Sequence, residues 1–246
     1  MKILVCVSHV PDTTTKISFV NDNKEFNTAG VQFIMNPYDE WYALVRALEL
    51  KEKSGGTVTL INVGKADSEA TIRKGLAIGG DDAVRVDADP TDAFFVAEQI
   101  ANYAKAENYD LILAGKETIN YNGASVGGMI AELLNFPFIS LASKLEIEGT
   151  VATIEHDIDG GVEVVECSLP LVLGAQKGMA EARIPNMRGI MAARTKPLKI
   201  IPASGDNKLT SVVSYALTPG RTTCKMIDAE KPEELIDLLH NTSKVI

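Results

Sequence analysis

The chain has 246 residues, of which 46% are hydrophobic and 23% are charged. A chain of this length can bury roughly 70–75% of its unfolded surface, so it needs no disulfide or metal ion in order to fold. The net charge of −9 argues against nucleic acid as a partner, because phosphate binding requires a cationic face.

The first two thirds of the chain alternate short apolar runs with amphipathic stretches. The apolar run at 3–7 predicts a buried strand. A helix is expected after Asn36, which can cap it, with Pro37 in its first turn and Gly55 beyond its end. Apolar strands that alternate with helices predict a parallel sheet covered by helices on both faces. The remaining strands of this part are predicted at 58–63, 83–86 and 111–114, and the remaining helices at about 67–78, 91–106 and 123–134.

The pattern changes after Pro137. Residues 139–173 are rich in β-branched residues and carry hairpin signals at 148–149 and 159–161. Residues 177–199 are basic and are predicted to be irregular. The sequence therefore predicts a β-rich final third after the α/β part.

The end of the chain has a different composition. A low-complexity connector occupies 203–220, and a short helix is predicted at 232–240. Because few apolar residues in this region could be buried within the chain, it needs another surface on which to order. We therefore expect one Rossmann-like domain with added hairpins at 1–200, and an extended arm and helix at 201–246 that pack on a partner subunit.

A glycine-rich loop follows the strand predicted at 111–114. Gly115 permits a sharp exit from the strand, and Gly123, Gly127 and Gly128 lie where the next helix is expected to begin. Backbone N–H groups at a helix start carry about half a positive charge and can bind a phosphate without a basic side chain. The loop matches neither a Walker loop nor Gly-x-Gly-x-x-Gly, so a turn that binds nothing fits it equally well.

Three other strand ends could face the same crevice, since ligands of open α/β sheets bind at the carboxyl ends of the strands. They are the segments 6–9, 36–39 and 63–64. Together with the glycine-rich loop they would form a nucleotide pocket. The simpler alternative is that Asn36 only caps its helix.

The segment 177–199 concentrates positive charge on an anionic protein. It holds six basic residues against the single acid Glu181, which gives a local charge of +5 and leaves −14 for the rest of the chain. A cationic strip with interleaved methionine and isoleucine can steer a partner that has an acidic face. The alternative is a solvated loop. The basic residues are Lys177, Arg183, Arg188, Arg194, Lys196 and Lys199.

Catalytic and metal-binding patterns are not found in the sequence. The cysteines Cys6, Cys167 and Cys224 form no CxxC pair, and His9, His156 and His240 lie near no nucleophile motif. We therefore predict no catalytic residue and no metal site, so that redox chemistry would come from a cofactor or another chain. No apolar stretch reaches the ~18 residues of a membrane span and the apolar N-terminal run is too short for a signal peptide, so we expect a cytoplasmic protein.

Several of these segments resemble the β subunit of electron transfer flavoproteins, and the resemblance covers nearly the whole chain. The block at 181–197 is the most specific, because it corresponds to the signature region of that family. The other matching pieces are ILVCVSHVPDT (3–13), MNPYDE (35–40), TIRKGLAIG (71–79), LAGK (113–116), DGG (159–161) and LP (169–170).

The resemblance implies an electron carrier and not an enzyme. A larger α subunit would hold most of an FAD that accepts single electrons from flavin dehydrogenases such as acyl-CoA dehydrogenases. The β subunit would have a Rossmann-like fold of the adenine nucleotide alpha hydrolase type and would bind AMP without a redox role. In the bifurcating branch of the family, a second FAD would take the place of the AMP, and the complex would oxidise NAD(H). A stand-alone nucleotide-binding module of the universal-stress type is a further alternative.

The resemblance also assigns residues by position. The dehydrogenase-docking residues would be Arg183, Met187, Arg188, Ile190, Met191 and Arg194. The nucleotide contacts would be Cys6, Asn36, Pro37, Tyr38, Asp39, Val63, Thr118, Ile119, Asn120, Tyr121, Asn122, Gly123, Ala124, Ser125, Val126, Gly127, Gly128 and Met129.

The chain departs from the family pattern at both regions. Asn120, Asn122 and Ser125 stand where the family loop usually carries acidic residues and a glutamine, which leaves the identity of the nucleotide open. Ala182 and Ala192 replace a usual proline and lysine, so the docking strip could prefer another partner. The opening at 10–13 is more similar to the branch that contains bifurcating and nitrogen-fixation-associated members than to the mitochondrial type, which has a tyrosine at the position of Thr13.

Overall fold

The computed structural model describes residues 1–220 and 223–246. Its strands are β1 (Lys2–Cys6), β2 (Val10–Pro11), β3 (Phe19–Val20), β4 (Glu25–Phe26), β5 (Phe33–Ile34), β6 (Thr57–Val63), β7 (Asp82–Asp87), β8 (Leu111–Gly115), β9 (Phe138–Glu148), β10 (Val151–Ile158), β11 (Gly161–Ser168), β12 (Leu171–Ala175) and β13 (Leu198–Pro202). Its α-helices are α1 (Asp39–Ser54), α2 (Glu69–Ile78), α3 (Ala93–Glu107), α4 (Val126–Leu134), α5 (Met187–Ala193) and α6 (Pro232–Asp237). A 3-10 turn covers Ala66–Ser68 and a π-helical turn covers Leu238–Ser243.

One mixed sheet of nine strands organises the chain, in the order β11-β10-β9-β12-β8-β1-β6-β7-β13. Every neighbouring pair from β9 to β13 in this order is parallel, whereas β10 is antiparallel to both β9 and β11. The predicted α/β class with a largely parallel sheet is confirmed. The β-rich segment after Pro137 extends this same sheet through its hairpins.

Helices cover both faces of the sheet. Because successive strand residues point in opposite directions, each central strand contributes side chains to both helix layers. In β1, Ile3 and Val5 pack with apolar residues of α1 and α2. Leu4 and Cys6 point to the other face and pack with residues of α3 and α4. The central strands β1, β6 and β8 are therefore buried on two sides, which explains why β1 and β8 are almost entirely apolar.

Two helices begin later than the sequence predicts. α1 begins at Asp39, and Asn36 does not cap it, since its side-chain amide donates to the carbonyl of Glu117 at 2.8 Å. α4 begins at Val126 instead of near Gly123. The reason lies in the preceding backbone, because Asn122 and Ala124 have φ angles of 49° and 48°, which interrupt a right-handed helix.

The basic segment is more regular than predicted. It contains α5, whose N-terminus is capped by the Asn186 side chain accepting from the Gly189 N–H at 2.8 Å. After α5 the chain returns to the sheet as β13, which pairs in parallel with β7. A strand at a sheet edge needs only one partner, so the exposed Lys199 and the proline at the end of β13 are compatible with this position.

The described chain divides into two units. The first comprises Met1–Lys16 and Asn27–Val213, and the second comprises Ile17–Phe26 and Ser214–Ile246. In the second unit, the ring of Phe19 stacks on Tyr215 at 4.9 Å, and the Tyr215 N–H donates to the carbonyl of Asn23 at 2.7 Å. Packing of residues 201–246 on a partner subunit stays a prediction.

Within residues 1–220 and 223–246, no helix combines the length and the apolar character that crossing a bilayer requires.

Candidate functional site

The strand order reverses beside β1, since β6 and β7 lie on one side of it and β8 lies on the other. In a parallel sheet such a reversal opens a crevice at the carboxyl ends of the two central strands. Here those ends are Cys6 and Gly115. The segments that sequence analysis singled out follow or face these positions, so the crevice is the place to examine them.

Glu40 lies at the centre of this edge, and sequence analysis did not identify it. Its side chain is buried, and Oε2 accepts hydrogen bonds from the Ser8 N–H at 2.7 Å and the Ser8 hydroxyl at 3.0 Å. The backbone N–H of Asn36 faces the same carboxyl group and favours its charged form. Burial raises the pKa of Glu40 to about 8, although the hydrogen bonds from Ser8 oppose that rise.

Asn36 and Asp39 connect α1 to the end of β8. The Asn36 side chain is fully buried, and its Oδ1 has no hydrogen-bond partner among the described residues. Asp39 is also buried, which raises the pKa of its carboxyl group, while the charge of Lys116 acts in the opposite direction. A Cβ on Gly115 would lie 3.0 Å from both Asp39 Cβ and Glu40 Cγ. Only glycine therefore lets α1 approach β8 this closely.

The end of β6 joins the edge through Asn62. Its Nδ2 donates to the carbonyl of Val7 at 2.8 Å, and its Oδ1 accepts from the Ser68 hydroxyl at 2.8 Å. Val63 follows and is buried. Cys6 is buried in the core, which raises the pKa of its thiol and keeps the sulfur protonated. Cys6 and Val63 therefore lie at the predicted edge with their side chains turned into the core clusters.

The glycine-rich loop runs from the end of β8 to α4. Met129 N–H donates to the Ser125 carbonyl at 3.0 Å, so the N–H groups of Val126, Gly127 and Gly128 precede the first intrahelical bond. The Ser125 side chain makes no capping hydrogen bond to α4. The three N–H groups at the start of α4 therefore receive no cap from Ser125 and can serve as donors to an anion.

Gly127 has a packing reason that differs from the predicted one. A Cβ at Gly127 would lie 2.9 Å from the Phe138 ring, and one at Gly128 would lie 3.5 Å from the same ring. The glycine at 127 therefore allows α4 to pack on β9. This packing explains the glycine without the close approach of a phosphate. Gly123 differs, because a Cβ there would meet only the Ser125 hydroxyl at 3.7 Å.

The exposure of the remaining predicted contacts divides them into groups. Pro37, Thr118, Ile119, Ser125, Val126, Gly128 and Met129 are half-buried, whereas Tyr38 and the loop residues Asn120, Tyr121, Asn122, Gly123 and Ala124 are exposed. Hydrogen bonds bring together the end of β1, the segment 36–40 and Glu117. In the part of the chain that the structure describes, no group of acidic, histidine or cysteine side chains could hold a metal ion.

The second predicted site is centred on α5, where every residue with a long side chain is exposed and only the last residue is buried in the core. Met187 and Met191 are 73% and 58% exposed, and Ile184 is also exposed. Arg188 and Arg194 are exposed on the same segment. The surface formed by residues 184–194, which we call the α5 surface, therefore combines flexible apolar side chains with two cations.

The backbone of α5 is fixed to α2. A Cβ on Gly189 would lie 2.3 Å from the Ala77 carbonyl oxygen, so the two helices touch through glycine. Arg73 of α2 donates to the carbonyls of Ala193 and Lys196 at 2.8 and 2.7 Å. Lys196 in turn donates to the carbonyl of Leu76 at 2.9 Å. These reciprocal bonds hold the C-terminal ends of both helices.

Arg183 has partners within the chain. Its guanidinium donates to both carboxylate oxygens of Glu52, at 2.6 and 2.9 Å, and its carbonyl accepts from the Trp41 indole at 3.1 Å. The pairing with Glu52 raises the pKa of Arg183. Arg183 therefore anchors the start of the α5 surface, and its docking role stays a prediction.

Comparison with known proteins agrees with this arrangement. The family model for the electron transfer flavoprotein domain matches residues 24–206. The electron transfer flavoprotein subunit beta of Bacillus subtilis is 36% identical over 261 residues, which cover all of both chains. The mitochondrial subunit beta of Oryza sativa subsp. indica is 34% identical over 256 residues, again all of both chains. The human subunit beta is 33% identical over 255 residues, covering 100% of this chain and 99% of its own. The chain therefore belongs to the electron transfer flavoprotein β-subunit family.

Proposed function

We propose that this chain is the β subunit of a heterodimer that carries single electrons from flavin dehydrogenases, such as acyl-CoA dehydrogenases, to a downstream acceptor. An α subunit holds most of the FAD, and this chain binds AMP structurally at the carboxyl edge of its sheet. When bound, the FAD supplies the one-electron chemistry. The chain itself breaks and forms no bonds, which agrees with its family and with the absence of catalytic motifs in the sequence.

The observation that carries the nucleotide part is the unpartnered Oδ1 of Asn36. A fully buried amide oxygen normally has a donor, because leaving it unpaired costs free energy. A hydroxyl or amino group of a nucleotide would supply that donor. The N–H groups of Val126, Gly127 and Gly128 would hold the phosphate, and they favour an anion without a lysine or arginine.

The α5 surface supports the docking part of the proposal. Arg188 and Arg194 are exposed on a chain whose net charge is −9. An acidic partner is therefore attracted to these two residues, while the negative charge elsewhere on the chain repels it from other surfaces. Met187 and Met191 can then adapt to the apolar part of the contact. The bonds to α2 keep the helix in place before the partner arrives.

The composition of the purified heterodimer tests the proposal. Coexpression with the α subunit is expected to give about one FAD and about one AMP per dimer, and flavin reduction by a dehydrogenase only when α is present. Two FAD per dimer together with NAD(H) oxidation would instead identify a bifurcating member. A stable monomer with bound ATP would overturn the electron-carrier role.

The cellular location is part of the same proposal. We infer from the sequence that the heterodimer works in the cytoplasm. Fractionation of the producing cells, followed by detection of this chain, tests the location independently of cofactor content.

A further inference from the structure

We propose that Glu40 is the positioning residue of the nucleotide site, because its carboxyl group ties the end of β1 to the segment before α1 and so presents Asn36 to the ligand. The inference rests on the proposed nucleotide-binding function. It concerns a residue that would not touch the nucleotide and that acts through Ser8 and Asn36.

The contacts of Glu40 join parts of the chain that are far apart in sequence. Ser8, which follows β1, donates twice to Oε2, at 2.7 Å from its N–H and 3.0 Å from its hydroxyl. The backbone N–H of Asn36 faces the same carboxyl group. One buried side chain thus sets the distance between two of the segments expected to contact the nucleotide.

Asn36 carries the effect of Glu40 onward to the third segment. Its backbone N–H faces the Glu40 carboxyl group, and its Nδ2 donates to the Glu117 carbonyl at 2.8 Å, immediately before the loop at 118–125. With Nδ2 committed to Glu117, the amide cannot turn, and Oδ1 is left as the acceptor without a partner in the described chain. The orientation of this oxygen therefore depends on Glu40.

The protonation state of Glu40 should make the affinity for AMP depend on pH. A purely structural role of Glu40 would not produce this pH dependence. The ionisable groups around it are Asp39 on its own helix, the neutral thiol of Cys6 on β1, and Lys116 and Glu117 beyond β8. Burial raises the pKa of Glu40 to about 8, so the folded chain keeps the carboxyl neutral below that pH. Above it, a carboxylate develops at a site that takes an anion, and binding of the anion weakens.

The experiment measures the affinity of the heterodimer for labelled AMP by equilibrium dialysis between pH 7 and 9.5. This range lies above the second phosphate pKa of about 6, so the ligand keeps its charge. The variants are Glu40→Gln, which preserves an oxygen acceptor for Ser8 but cannot ionise, and Glu40→Ala, which removes the acceptor. Glu49→Gln, on the same helix and paired with Arg46, is the matched control.

For the wild type and Glu49→Gln we expect the Kd for AMP to rise by several-fold, and at most about tenfold per pH unit, as the pH passes 8. Glu40→Gln is expected to bind AMP at pH 7 within about threefold of the wild type and to lose this pH dependence, and Glu40→Ala to bind about tenfold more weakly at every pH. A Glu40→Gln variant with the wild-type pH profile, or a Glu40→Ala variant with wild-type affinity, would overturn the inference about Glu40 and leave the proposed nucleotide function intact. A wild type that binds no AMP at any pH would overturn the proposed nucleotide function as well.

Discussion

The carboxyl edge of the sheet and the α5 surface are the two regions proposed to bind other molecules, and they are built in opposite ways. At the edge, Asn36, Asp39 and Glu40 are each no more than 5% exposed and are held by hydrogen bonds to other segments. On the α5 surface, Met187 and Met191 are more than half exposed, and it is the backbone that is fixed.

The difference predicts how each region responds to change. The edge is a closely packed arrangement in which one added methyl group disturbs several segments, so substitutions that add volume there should abolish binding. The α5 side chains can be replaced without disturbing the core, so substitutions should alter affinity and association rate by degrees. The predictions below test this contrast, beginning with the largest expected effect.

Gly115→Ala should have the largest effect. The new Cβ would lie 3.0 Å from Asp39 Cβ and Glu40 Cγ and 3.1 Å from the Glu117 carbonyl oxygen, so three tightly packed neighbours must each move slightly to admit it. We expect a loss of about 1–3 kcal/mol in the free energy of unfolding, or about 2–4 °C in Tm for each kcal/mol, together with loss of AMP from the heterodimer. Thermal unfolding and nucleotide analysis measure the two effects.

Gly161→Ala is the control for this change, because it lies outside the proposed nucleotide site and its Cβ would meet no described atom within 4 Å. It should retain both AMP and Tm. If the two variants behaved alike, the close packing of α1 against β8 would not be what maintains the edge.

Gly189→Ala should have an intermediate effect confined to docking. Its Cβ would lie 2.3 Å from the Ala77 carbonyl oxygen, which forces α5 away from α2. We expect the apparent KM of the heterodimer for the donor dehydrogenase to rise by roughly tenfold, with FAD and AMP content unchanged. Ala192→Ser, exposed on the same helix, is the control. Loss of AMP in Gly189→Ala would show that the two regions are not independent.

Reversal of Arg188 and Arg194 to Glu should have the smallest effect, and one that depends on salt. Both side chains are exposed, so the core is undisturbed, and electron transfer from the donor should slow several-fold at low ionic strength. The difference from wild type should largely disappear at about 1 M salt. Stopped-flow flavin reduction gives the rates.

Reversal of Lys16 and Lys105 to Glu changes the net charge equally at exposed positions outside the α5 surface. This control should be nearly as fast as the wild type. Equal slowing in both double variants would attribute the effect to overall charge and would contradict a specific docking role for α5.

Local patterns allowed much of the scaffold to be predicted from sequence. β1 and β8 are almost entirely apolar because they are buried on both faces, and the neighbouring helices carry clear amphipathic patterns. The Asn36 cap was wrong because its amide bonds to Glu117, a residue 81 positions away. No local pattern contains such a contact.

The most informative residue of the site was missed for a similar reason. An acid in the first turn of a helix usually faces solvent and interacts with the helix dipole, so Glu40 reads as ordinary. Its burial becomes visible only when β1 brings Ser8 against it. α5 could have been found, because Asn186 precedes seven residues that contain no proline and only one glycine. β13 could not, since short edge strands with charged residues lack a distinctive pattern.

The adenine nucleotide content of the heterodimer carrying Asn36→Leu, compared with wild type, tests the central claim most directly. The substitution removes the unpartnered oxygen and the bond to Glu117 while keeping a side chain of similar size. The account predicts about one AMP per wild-type dimer, at least about tenfold less in the variant, and equal FAD in both. Equal AMP in the two proteins would contradict it.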